Sequence, residues 1–211
     1  MLLKLDELEG ELAVTFDEWL TGYIERPHPE LGRKGAICPF VRPARLASGL
    51  RAYRYHWLAG GDLGDMLQIF DTAMCRYRQE DFGDLKLTSR TLVVVISGLP
   101  PRDYELVDQA HSERKGDAIA HGMMLGQFHP ECPAPAAHNE RFLVNQAPFA
   151  ALAVRDMAFH DILFLNHVGK WFREYRDRFG HLYGDGKRVD PHFRKLFEAA
   201  QSREEHKMEV G

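Results

Sequence analysis

The stretch Gly126-Gln127-Phe128-His129-Pro130-Glu131-Cys132-Pro133 holds the residues of this chain best suited to chemistry. The apolar run Met123-Met124-Leu125 leads into it as a strand, and the prolines that follow lack the amide donor a ladder needs. His129 is therefore expected where a strand ends. Ligands of α/β sheets lie in the crevice beyond the strand ends, so an imidazole there is well placed for chemistry. The plainer reading is a histidine that hydrogen-bonds a loop carbonyl. His129-x-x-Cys132 has a spacing that suits two ligands of a site with mixed nitrogen and sulfur donors, for zinc or non-haem iron, which Cys38 or His138 would complete. Cys38 and Cys132 each precede a proline in a loop, and they could instead form a reversible thiol pair or act as a nucleophile beside His129. A pair requires Cα atoms within about 7 Å.

A second loop, Ala36-Ile37-Cys38-Pro39-Phe40-Val41-Arg42-Pro43, presents Cys38, Phe40 and Arg42 together between stiffening prolines. The elements that must position these residues follow from periodicity. Residues 11–25 place Leu12, Phe16, Trp19, Leu20, Tyr23 and Ile24 on one helical face, and Arg51 to Leu58 alternates as a half-buried strand with Tyr53, Tyr55 and Trp57 on one side. Asp62 is a fitting N-cap for a helix facing inward with Leu63, Met66, Leu67, Phe70, Met74 and Tyr77. The glycines before it allow a weak phosphate-site reading, without the dinucleotide fingerprint or a P-loop lysine. Thr91-Leu92-Val93-Val94-Val95-Ile96 reads as a central strand, and Pro100-Pro101 opens a helix over 103–121 whose Tyr104, Val107, Ala110 and Ala118 face inward. After the strand that ends at His129, residues 150–155 form a fourth strand, and Phe164 to Leu182 carries a wide apolar helical stripe.

This pattern predicts a single α/β or α+β domain over residues 1–200. Its central sheet is mixed and largely parallel, flanked by helices, with N- and C-terminal docking helices and a polar, disordered tail over 201–211. The net charge of −4 argues against nucleic acid, no apolar run is long enough to span a membrane, and three scattered cysteines make no disulfide framework. A cytoplasmic protein is expected. No Gly-x-Ser-x-Gly elbow is present.

With Cys38-Pro39-Phe40, Phe128-His129-Pro130 and Asn145-Gln146-Ala147-Pro148-Phe149 leading to Leu152-Ala153-Val154-Arg155, the chain resembles a group of small bacterial proteins of unknown function. It departs from them at Gln146-Ala147, where Arg-Ser is usual, and at Ala150, which replaces a second proline. Through Gly126 and His129-Pro130 it is distantly similar to bacterial haem-dependent amine N-oxygenases. That resemblance implies a haem-binding oxidoreductase that oxidises an amine nitrogen of a small amino-acid-like substrate in a biosynthetic pathway. His129 would ligate haem b, Phe128, Phe149, Trp57 and Phe40 would wall the slot, and Arg155 and Arg42 would meet the propionates. The structural alternative for Arg155 is a pair with Asp156 or another acid. Other expectations are the non-haem metal or thiol enzyme using His129, Cys132 and Cys38, and a non-catalytic domain whose C-terminal helix binds a partner or forms a homodimer.

Overall fold

The computed structural model describes residues 2–184 and 188–210, with side chains as far as His206. Strands β1 (Asp6–Glu7), β2 (Leu50–His56), β3 (Thr91–Ser97), β4 (Met123–Phe128) and β5 (Ala150–Asp156) form one mixed sheet in the order β1-β2-β3-β5-β4. β2 and β3 are parallel, and β5 runs antiparallel to both β3 and β4. Hence β2, β3 and β4 share one direction. Their carboxyl ends, His56, Ser97 and Phe128, lie along one rim. The expected fourth strand is inserted between β3 and β4, because the loop after His129 turns the chain back along the sheet.

The helices are α1 (Gly10–Trp19), α2 (Val41–Leu46), α3 (Leu63–Gln79), α4 (Tyr104–Ala120), α5 (Ile162–Leu165), α6 (Gly169–Phe179) and α7 (Pro191–Val210). α1 continues as a π-helical turn over Leu20–Ile24, which completes the face read from sequence. Asp62 caps α3 as expected: its carboxylate accepts the Asp65 amide at 3.1 Å, and Asp65 returns the contact to the Asp62 amide at 3.0 Å. These carboxylates already fill the place a phosphate would take at that helix start.

Strand alternation divides the core. Leu92, Val94, Ile96, Leu125, Leu152 and Val154 pack under α3 and α4, whereas Val93, Val95 and Ala151 meet Phe16, Trp19, Leu20 and Ile24 on the other face. The stripe from Phe164 to Leu182 is interrupted into α5, α6 and a 3₁₀ turn over Gly180–Tyr183. It finds its partner inside the chain, where Phe172, Tyr175 and Tyr183 pack with Phe197 and Ala200 of α7 and with Met124 of β4. The segment expected to be a disordered tail continues α7 to Val210. Glu204 explains this in part: it is 7% exposed and its carboxylate pairs with Arg173 of α6. No helix among the described residues is long and apolar enough to cross a membrane.

Candidate metal centre

β4 is a terminal strand, so one side of its backbone lacks a ladder partner. Side chains supply it. His111 Nε2 lies 3.3 Å from the Leu125 carbonyl, and the Gln127 carbonyl accepts from Asn145 Nδ2 at 3.0 Å and from the Cys132 thiol at 3.7 Å. Beyond Phe128 the chain makes a proline turn in which the Cys132 amide donates to the His129 carbonyl at 3.1 Å. That turn folds the two expected ligands back onto one another. The Ala147 amide donates to the same carbonyl at 3.3 Å, so the returning loop clamps the turn.

α4 packs along β4 and brings Asp108 over the turn. His129 Nε2 is 3.0 Å from Asp108 Oδ2, the Cys132 Sγ is 3.8 Å from Asp108 Oδ1, and the three donor atoms lie within 4.8 Å of one another. Tetrahedral zinc bonds of the usual length place such donors about 3.3–3.8 Å apart. The arrangement is close to that without any large movement. His129 is 2% exposed and Cys132 fully buried, but the Asp108 side chain keeps 23% of its surface. The centre therefore opens to solvent on its carboxylate side. Tyr104, one turn before Asp108, lays its ring against the imidazole with centroids 5.1 Å apart.

The electrostatics of this group are those of a site short of positive charge. Burial pushes the Cys132 thiol up to about 11, and the Asp108 carboxylate pushes the same way, while backbone donors at Ala134 and His129 pull against them. Without a cation the thiol keeps its proton, since a thiolate would face a carboxylate in a buried place. A divalent ion reverses that balance by pairing with both. The fit has one gap. His129 Nδ1 is buried without a partner, although a metal-bound histidine usually donates its far N–H to a carbonyl or carboxylate. Here packing against Tyr104 sets the plane of the ring instead.

A family model described as Domain of unknown function (DUF6875) matches residues 13–190. The chain belongs to the DUF6875 family. No curated protein and no solved structure matches it. The uncharacterised family anticipated from the Cys-Pro-Phe and Phe-His-Pro motifs is thus the level at which this DUF6875 chain is placed.

The structure unites His129 and Cys132 with Asp108, which periodicity did not single out. Its one sequence signal is a carboxylate four residues after the inward-facing Tyr104. Neither Cys38 nor His138 belongs to the group. Cys38 lies in the α1-side cluster with Arg155 as an electrostatic neighbour, and the His138 ring sits 6.0 Å from that of His192.

The residues expected to frame a haem do not line one slot. Phe128 and Phe149 pack edge-on to Trp19 at 5.2 and 5.3 Å on the α1 face, whereas Trp57 belongs to the core under α3 and α4. Arg155 sits beside Met124 in the ladder, five residues before His129, or about 17 Å along a strand. Its guanidinium is held by Asp161 at 2.6 and 2.7 Å and lies 4.7 Å from the Phe40 centroid. The pairing with a neighbouring acid therefore accounts for it. Arg42 is exposed on α2.

Proposed function

We propose that this DUF6875 protein is a metalloprotein in which Asp108, His129 and Cys132 hold one divalent ion of the zinc class and leave a further coordination position for a small-molecule substrate. The observation that carries this reading is the convergence of a carboxylate, an imidazole and a thiol within 4.8 Å, two of them buried. Three protein ligands with an open position are the pattern of catalytic zinc, and structural zinc is usually closed by four. An ion so held supplies Lewis acidity, polarising a bound oxygen or acidifying a water. The chain's own residues divide the remaining work. Cys132 and His129 anchor from one rigid turn, Asp108 stands at the solvent side, where a substrate must enter, and Tyr104 holds the imidazole in place.

Haem b ligation by His129, with amine oxidation, rests on the Phe-His-Pro resemblance. It requires Nε2 to leave Asp108, and it finds Arg155 already committed to Asp161. The metal-ion reading keeps Asp108 beside Nε2, with the ion in place of the hydrogen bond between them. The test is metal analysis of protein purified without chelator, followed by zinc titration of the stripped chain against a competing indicator. One equivalent of zinc per chain, lost in His129→Ala and in Cys132→Ser, is the expected result. A chain that takes up no divalent ion at micromolar concentration refutes the proposal. A Soret band after haem addition that disappears in His129→Ala would return the assignment to haem.

A further inference from the structure

A second polar cluster lies where α4 meets the start of α6. Lys115 Nζ sits 4.7 Å from the Trp171 centroid, half-buried, and the lost solvation lowers its pKa. Gly116 lets α6 approach closely beside it: a Cβ there would meet Lys170 Nζ at 3.4 Å and Trp171 Nε1 at 3.7 Å. That indole N–H is buried and has no acceptor. His167 meets the same ring edge-on with centroids 6.0 Å apart, and its pKa is lowered by desolvation and then by Lys115 and Arg203.

Cations so grouped repel one another unless acids or a bound anion compensate. Among the described residues neither Lys115 nor Lys170 makes an ion pair. The acids that approach are committed elsewhere. Asp161 is held by Arg155, and Glu204, which lies against Gly169, pairs with Arg173. Glu113 and Asp117 are each two residues from Lys115 on α4, a spacing that turns them away from it. Two ammonium groups, an imidazole and an unpaired indole N–H thus gather at one place, where Gly116 brings α4 close to the start of α6.

We infer that Lys115, Lys170, His167 and the Trp171 N–H form a binding site for a phosphate-type dianion, of the kind carried by small phosphorylated metabolites. A tetrahedral oxyanion offers acceptors in several directions and matches donors that arrive from two helices. Lys170 is exposed, so its flexible end can swing aside and leave the indole N–H to the ligand. The site stands apart from the metal centre and does not depend on it: Lys115 is seven residues beyond Asp108, about 10.5 Å further along α4.

Isothermal titration of the full chain with inorganic phosphate and with pyrophosphate, at low chloride, tests the site. Saturable one-to-one binding is expected, weakened about tenfold by Lys170→Gln and by Trp171→Phe, the worth of one charge-assisted hydrogen bond. Lys170 is exposed, so its replacement leaves the fold intact, and Trp171→Phe keeps an aromatic ring. In a parallel NMR titration the bound anion raises the pKa of His167. No saturable binding up to roughly 20 mM phosphate, a range that covers weak anion sites, would overturn the inference. So would binding that both variants leave unchanged, or a His167 titration that phosphate does not move.

Discussion

The most demanding consequence of the metal reading concerns a proton. With its thiol pushed up to about 11 by burial and by Asp108, Cys132 enters metal binding as a neutral group. It must lose its proton to ligate. At pH 8 a thiol of that pKa is ionised at about one part in a thousand, so apparent zinc affinity is lowered about a thousandfold from its thiolate limit and rises tenfold with each pH unit. Calorimetric zinc titrations in buffers of different ionisation enthalpy count the protons released. Wild type should release about one more proton per ion than Cys132→Ser, and its affinity should climb more steeply with pH by one logarithmic unit per pH unit. Equal proton release by the two proteins refutes the argument, because it means that Cys132 either stays protonated or is not a ligand.

Three further outcomes follow from the packing. A strand-end loop position ought to contribute little to the core, yet His129 is 2% exposed; in the metal-free protein His129→Ala should cost about 1–3 kcal/mol in urea unfolding, through a lost ring and an Asp108 left without its partner. A variant as stable as wild type would contradict that burial. Arg155→Met should cost about 3–5 kcal/mol, since it strands Asp161, which is 1% exposed, while Arg155→Met with Asp161→Leu should recover much of the loss; a double variant no better than the single one would show that the pair is not coupled. Burial pushes His111 down to about 4, so its stability contribution is complete above the unfolded value near 6.5 and is lost as the pH falls from there towards 4, by about 3 kcal/mol. His111→Gln should flatten that part of the stability profile, and an unchanged slope would remove His111 as its cause.

Local chemistry in the sequence was legible, and long-range assembly was not. The β-branched run Thr91–Ile96 had to be a central strand because both its faces are apolar, and the Asp62–Asp65 cap is a short-range exchange between a side chain and a nearby amide. His129 and Cys132 meet through a four-residue turn, so their spacing alone brought them together. Asp108 is 21 residues away on the crossover helix, and only the packing of α4 along β4 delivers it. The position of β5 between β3 and β4 leaves no trace in periodicity, since an inserted antiparallel strand and an added parallel one share the same apolar pattern. The helical stripe of 164–182 hid a break at Asn166–Val168, because its apolar residues resume in phase on α6. The tail misled for a related reason. Its polar composition includes Glu204, whose burial depends on Arg173 in another helix.

The central claim, that an oxygen, a nitrogen and a sulfur donor from this turn and helix bind one ion together, is tested most directly by cobalt substitution. Co²⁺ titrated into the metal-free chain should give visible bands of tetrahedral intensity and a near-ultraviolet thiolate-to-cobalt charge-transfer band, saturating at one equivalent. The charge-transfer band should vanish in Cys132→Ser, and the tetrahedral intensity should collapse in His129→Ala and Asp108→Ala. A pale, octahedral-type spectrum without charge transfer in the wild-type protein would contradict the account.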